Sequence, residues 1–209
     1  MKLLLVGASG LVGGHLLRLA LADARVTSVV APVRRTLPAH PRLLAPVVDF
    51  DHLPEAADWW QVDAMICTLG TTMKQAKSRE AFTRVDYHYP LAFARRVRAQ
   101  GTATCVLNSA AGARVDSRFF YNRVKGELER DLARLGFASL TLVRPGLIGG
   151  ERQAPRPVES LMMRILSVAG PVLPKSLRLN PAENIARALL ASALNAPPGQ
   201  HIVPAAALS

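Results

Sequence analysis

The sequence predicts an α/β protein, a doubly wound parallel sheet covered by helices on both faces, and three observations predict it. An unbroken apolar run at residues 2–6 (KLLLV) suits a strand buried on both sides. A glycine-rich turn, Gly7-Ala8-Ser9-Gly10-Leu11-Val12-Gly13, follows at once, and Leu11, Leu16, Leu17 and Leu21 then recur at helical spacing. Strand-like and helix-like segments alternate along most of the remaining chain.

A β-branched run at 26–33 (VTSVVAPV) completes a β-turn-α-β unit within about thirty residues, the context a nucleotide-binding glycine turn requires. A weaker strand signal lies at 45–49. Clearer ones lie at 63–69 (DAMICTL), 103–108 (ATCVLN) and 139–144 (SLTLVR), the last before the C-terminal region. Helical patterns cover 78–100, 119–135 and 182–195. Pro90 stands inside the first of these and should start a new segment or kink the old one. After Pro145-Gly146 the character changes. Residues 150–160 are polar and hold two prolines, whereas 161–174 (LMMRILSVAGPVLP) is strongly apolar. The chain is expected to be one domain over 1–209, with 146–180 folded over the strand ends as a substrate lid. Internal packing is the first use expected of 161–174, a homodimer contact the second and a membrane the last.

At 209 residues, half of them hydrophobic, the chain can bury a sizeable core. No apolar run reaches the ~18 residues needed to cross a bilayer. The apolar start breaks at Gly7, short of a secretory core of roughly 7–15 residues, and the expectation is a cytoplasmic protein. Cys67 and Cys105 lie in short apolar segments, so buried thiols are expected rather than a disulfide framework or a metal site. The net charge of +11 raises nucleic acid as a partner, but the basic residues are scattered and form no clustered face. Part of that charge suits a phosphate-rich cofactor.

The glycine turn carries the first chemical signal. Gly7 permits the tight turn, Gly10 lets the backbone approach a pyrophosphate, and Gly13 lets the helix pack against the first strand. The helix N-terminus then offers free N–H groups to the anion. A purely structural turn is the alternative reading. The second strand ends in Arg34-Arg35, where an NAD site would carry a carboxylate for the ribose 2′-hydroxyl. Two guanidinium groups suit a 2′-phosphate, which favours NADP(H) over NAD(H). Two solvated arginines are the alternative.

The second signal is Tyr121-x-x-x-Lys125. Four residues apart on a predicted helix, the two share a face. A neighbouring ammonium favours the phenolate and makes a tyrosine a usable general acid or base. Ser109 follows the strand at 103–108, at the edge where a substrate carbonyl would lie, and its hydroxyl could polarise that oxygen. A surface Tyr–Lys pair is the alternative.

These stretches together resemble the short-chain dehydrogenase/reductase superfamily in its atypical or extended branch, nearest to the bacterial relatives of the human Tat-interacting oxidoreductase-like protein. The resemblance rests on G-A-S-G-L-V-G at 7–13, R-R at 34–35, L-G-T-T at 69–72 and F-T-R-V-D at 82–86. It continues through S-A-A-G-A at 109–113, Y-N-R-V-K-G-E-L-E at 121–129 and R-P-G-L-I-G-G-E-R-Q at 144–153. It implies a Rossmann fold and a Ser109/Tyr121/Lys125 constellation. It also implies a cofactor held by Gly7, Ser9, Gly10, Leu11, Val12 and Gly13, with Lys125 reaching the nicotinamide ribose. By the same resemblance Asp49 and Phe50 lie near the adenine, Leu69, Gly70, Thr71 and Thr72 line the cofactor, and Pro145 and Gly146 border the nicotinamide. One departure stands out: Asp86 occupies a position where the familiar reductases carry a relay asparagine.

The function expected is an NADP-dependent reductase acting on a carbonyl or alcohol of unassigned identity, with a small molecule as its partner. A non-catalytic sensor of the NADP(H) ratio is the alternative. A nucleotide-sugar epimerase or dehydratase ranks third. Arg152 and Arg156 flank the expected lid and could meet an anionic substrate group.

Overall fold

Four consecutive buried side chains, Leu3 to Val6, make the first strand an interior member of a seven-stranded parallel sheet. The structure, a computed structural model, describes residues 1–149 and 179–209. Its first half runs β1 (Lys2–Val6), α1 (Leu11–Ala22), β2 (Ser28–Val30), β3 (Leu43–Leu44), β4 (Ala64–Cys67), α2 (Met73–Ala76) and α3 (Arg79–Thr83). A π-helical turn, Arg84–His88, joins α3 to α4 (Tyr89–Ala99). Then come β5 (Thr104–Asn108), α5 (Phe120–Ala133), β6 (Ser139–Arg144), β7 (Ile148–Gly149), β8 (Asn180–Pro181), α6 (Ala182–Asn195) and β9 (Gly199–Pro204).

The sheet order is β3-β2-β1-β4-β5-β6-β9, every pair parallel. This is the doubly wound Rossmann architecture expected from the sequence. Alternation along each strand sends successive side chains to opposite faces. Leu3, Leu5, Ile66 and Val106 meet α1 and α6 through Leu16, Ile185 and Leu189. Leu4, Val6, Met65 and Leu107 meet α4 and α5 through Phe93, Val97, Leu128 and Leu132. The strand order reverses between β1 and β4, so a crevice opens beyond their carboxyl ends, where ligands of such sheets bind.

Several elements differ from expectation. The third strand is Leu43–Leu44, with a single further bridge between Val33 and Val47, rather than 45–49. Pro46 lies inside the expected run and cannot donate to a ladder. Strand β9 was not foreseen: as an exposed edge strand (GQHIVP) it lacks the buried periodicity that marks the others. Pro90 acts as expected, standing at the start of α4 directly after the π-helical turn. Of the expected lid over 146–180, the two ends pair in parallel, Ile148 with Asn180 and Gly149 with Pro181. Residues 150–178, including Arg152, Arg156 and the apolar stretch 161–174, lie outside the described residues. Cys67 and Cys105 are buried free thiols. No helix among the described residues is long and apolar enough to cross a membrane.

Candidate functional site

The turn between β1 and α1 shows which glycines the fold itself demands. Gly7 has φ +96°, a conformation that disfavours any side chain, and a Cβ there would lie 2.8 Å from the Leu69 nitrogen. A Cβ on Gly13 would overlap the Gly7 carbonyl oxygen and crowd the Thr68 hydroxyl. Thr68, absent from the sequence-based reading, donates from Oγ1 to the Val6 and Gly7 carbonyls and so locks the turn to the end of β4. Gly10 is different. A Cβ there would meet only the Gly7 oxygen, at 3.3 Å, so its outer side is open to an approaching group. Gly10 caps α1 without a side-chain hydrogen bond, and no acidic residue stands in the first turn. The free N–H groups of that turn are therefore left without an anion from the helix's own first turn. Ser9 is exposed and Leu11 half-buried, whereas Val12 packs into the core and could contribute only its backbone.

At the far end of β2, Arg34 and Arg35 are exposed, and the Arg34 guanidinium lies 6.0 Å from the centre of the buried Phe50 ring. The Asp49 carboxylate is paired with the His52 ring at 2.8 Å. His52 and the Asp51 backbone N–H hold Asp49 below the usual carboxylate range, and Asp49 in turn raises His52.

The loop after β4 passes over a buried ion pair. Lys125 Nζ lies 2.8 Å from Asp86 Oδ1, with the side chains 4 % and 1 % exposed. The contact is an ion pair in which two opposite charges meet out of reach of water. Asp86 Oδ2 accepts the Thr71 N–H at 2.8 Å. Burial alone would pull the Lys125 ammonium down. Asp86 and, less strongly, Tyr121 outweigh it, and the group sits above the ordinary lysine value. A Cβ on Gly70 would stand 3.4 Å from Asp86 Oδ1, an ordinary contact distance, so the loop passes within about one side-chain atom of the pair. Leu69 packs against the core, and Thr72 caps α2 by accepting from the Gln75 N–H.

Tyr121, Lys125 and Glu129 follow one another at four-residue spacing down one face of α5. Tyr121 is 39 % exposed, its ring packed 5.7 Å from that of Phe82. Ser109 departs from expectation. Its hydroxyl is buried and donates to Glu129 Oε1 at 2.5 Å, and Glu129 also takes two hydrogen bonds from Arg144, at 3.0 and 2.5 Å. A serine has one proton to give, and here it goes to a carboxylate rather than towards the crevice. Glu129 and Arg144 were missed by the sequence-based reading. The four-residue spacing from Tyr121 and Lys125 to Glu129 was the available signal.

Pro145 is buried, and the Gly146 N–H donates to Asn180 Oδ1 at 2.7 Å. Asn180 is fully buried and gives its Nδ2 to the Ala205 carbonyl, tying the loop after β6 to the C-terminal segment. No motif marked it beforehand. A concavity of about 580 Å³ lies behind α5, lined by Arg114, Glu129, Arg130, Arg134, Arg144 and Gln200 among others. Its arginines are matched by Asp116, Asp131 and Glu129, which leaves little free charge there for an anion. No group of three or more His, Cys, Asp or Glu among the described residues could hold a metal ion.

The HIM1 family model matches residues 48–173. The protein FMP52, mitochondrial, of Eremothecium gossypii is 36 % identical over 73 % of this chain and 69 % of its own length. Its Aspergillus fumigatus counterpart is 36 % identical over 94 % of this chain and 91 % of its own. Among solved structures, MoeE5 in complex with UDP-glucose and NAD superposes with TM-score 0.74 at 18 % identity, covering 97 % of this chain and 75 % of that one. WbmH of Bordetella bronchiseptica in complex with NAD+ gives 0.70 at 16 %, covering 96 % and 73 %. At such identities the likeness is one of fold. The cytoplasmic expectation is corrected here, because curated relatives between 31 and 36 % identical are named as mitochondrial proteins.

Proposed function

The chain belongs to the HIM1 family, and on that premise we propose that it is a nicotinamide-dinucleotide oxidoreductase acting on a carbonyl or alcohol, with NADP(H) preferred over NAD(H). The observation that carries the reading is the charged Lys125, buried close beneath the loop after β4 on the helix face that also carries the half-exposed Tyr121. The finer kinship, with relatives of the Tat-interacting oxidoreductase-like protein, rests on the sequence stretches alone.

The chain's own groups fit such a cofactor. The open side of Gly10 and the free N–H groups of α1 suit a pyrophosphate. Arg34 and Arg35 suit a 2′-phosphate, with Phe50 and Asp49 at the adenine end. Gly70, Thr71, Pro145 and Gly146 would flank the nicotinamide half. Both solved neighbours named above hold NAD. A bound nicotinamide supplies or accepts the hydride.

Tyr121 is the proton donor to a carbonyl oxygen in reduction and the acceptor in alcohol oxidation. Lys125 presents a fixed positive charge beside it. Ser109, its proton held by Glu129, acts as a hydrogen-bond acceptor for a substrate hydroxyl rather than as a donor. A second reading, a cofactor-binding sensor without turnover, draws on the same facts, since both the lysine and the serine are already committed to internal partners. Fluorescence titration with NADPH and NADH side by side tests the proposal. At least about tenfold tighter binding of NADPH is expected from two phosphate-facing arginines. Absence of binding to either would overturn the reading. Tight binding without reduction across a carbonyl panel would favour the sensor.

A further inference from the structure

We propose that Asp86 is a positioning residue of this site: its buried carboxylate joins the Lys125 ammonium and the Gly70–Thr71 backbone into one unit. The lysine thereby stays charged, and the loop after β4 keeps its place beside it. The inference rests on the dinucleotide reading given above.

Geometry carries it. Three stretches distant in sequence meet at one carboxylate. Asp86 Oδ1 faces the ammonium of α5 at 2.8 Å, and Oδ2 receives the Thr71 N–H at 2.8 Å. The π-helical turn makes this reach available. It widens the helix by one residue and turns Asp86 wholly inward while Arg84 and His88 stay exposed. Such turns recur at functional sites because they re-aim one side chain without breaking the helix. Gly70 leaves no side chain between loop and ion pair. A Cβ there would lie 3.4 Å from Asp86 Oδ1 and 3.8 Å from Lys125 Nζ.

Among the described residues the ammonium has three titratable neighbours. Asp86 faces it from the turn, Tyr121 from its own helix and Cys67 from β4. Burial pushes the Cys67 thiol up to about 11, so it is neutral at physiological pH. Asp86 is therefore the anion that answers the lysine. A buried ammonium without one gives up its proton readily. The carboxylate here adds a full counter-charge to whatever an amide could do by hydrogen bonding.

The test is a pH titration of lysine side chains by NMR in the full chain labelled at lysine Cε, with Lys125→Arg assigning the resonance among five lysines. In the unaltered chain Lys125 should titrate at or above the ordinary lysine value. In Asp86→Asn, which keeps an acceptor for Thr71 but removes the charge, it should titrate about one pH unit or more lower. An unmoved midpoint in that variant overturns the proposal. Should Asp86→Asn fail to fold, a Lys125 midpoint below the ordinary value in the unaltered chain overturns it equally. NADPH binding then reads the loop. Asp86→Ala, which loses the Thr71 anchor, should bind about tenfold more weakly than Asp86→Asn. Equal affinities overturn that half of the proposal. If the unaltered chain binds neither dinucleotide, the functional reading fails while the lysine titration still decides the role of Asp86.

Discussion

Lys125 with Asp86 and Glu129 with Arg144 are two ion pairs one turn apart on the same face of α5, yet they join different parts of the molecule. The first ties the loop after β4 to the π-helical turn and is shut from water, at 4 % and 1 % exposure. The second ties the tip of β5 to the end of β6 through Ser109, and its arginine keeps 27 % exposure beside the concavity behind the helix. One helix thus carries an isolated charge under the crevice and a wetter staple across the sheet. Their separation shows why two serviceable-looking polar groups, Lys125 and Ser109, are not interchangeable parts of one constellation. Each answers to its own carboxylate.

The comparison can be broken or sharpened by substitution. The largest effect is expected from Lys125→Met, which strands Asp86 in the interior. A loss of about 3–5 kcal/mol in urea unfolding at pH 7 follows, most of it recovered when Asp86→Leu is added. A single variant as stable as the unaltered chain would remove the distinction between the two pairs. Next comes Tyr121→Phe, at the exposed end of the same face. Its stability should change by less than about 0.5 kcal/mol, since a half-exposed hydroxyl is lost. Turnover on a reducible carbonyl should fall by about 100-fold or more.

Glu129→Gln should cost less than Lys125→Met, about 2 kcal/mol in the same unfolding assay, because water reaches Arg144 and softens the loss. A cost above that of Lys125→Met would reverse the ranking of the two clusters. Arg34→Ala lies at the opposite end of the crevice. It should weaken NADPH about tenfold and leave NADH unchanged, both read by fluorescence titration. The smallest effect belongs to His52→Ala. Asp49 is held below its usual range, so its contribution is lost as pH falls through that lowered value. His52 is raised, so its contribution is lost as pH rises through that raised value. Any stabilisation is fully present between the ordinary carboxylate and imidazole values, roughly pH 4 to 6.5, and melting curves should superimpose only below the lowered Asp49 value and above the raised His52 value.

Much of the fold was legible because its signals are local. Residues 2–6 announced a buried strand, Gly7 and Gly13 a turn that no side chain could share, and Tyr121 and Lys125 a common helical face. The partners were less so. Glu129 lies 20 residues from Ser109 and 15 from Arg144, and Asn180 lies 34 residues from Gly146. No periodicity spans such gaps. Strand β9 escaped because an exposed edge needs no apolar alternation. The cytoplasmic expectation drew on the lengths of apolar runs. Those lengths bear on insertion into a bilayer and not on the compartment in which relatives of the chain reside.

Taken alone, the sequence determined the sheet-and-helix alternation, the glycine turn and the residue types that share the Tyr121–Lys125 face of α5. Strand and helix periods and the sterics of a missing Cβ act over a few neighbouring residues. Only the tertiary structure decided which carboxylate meets which cation, and hence that Ser109 gives its proton to Glu129 and Lys125 keeps its charge against Asp86. A charge withdrawn from water must find its counterpart across space, and distance along the chain places no limit on where that counterpart comes from.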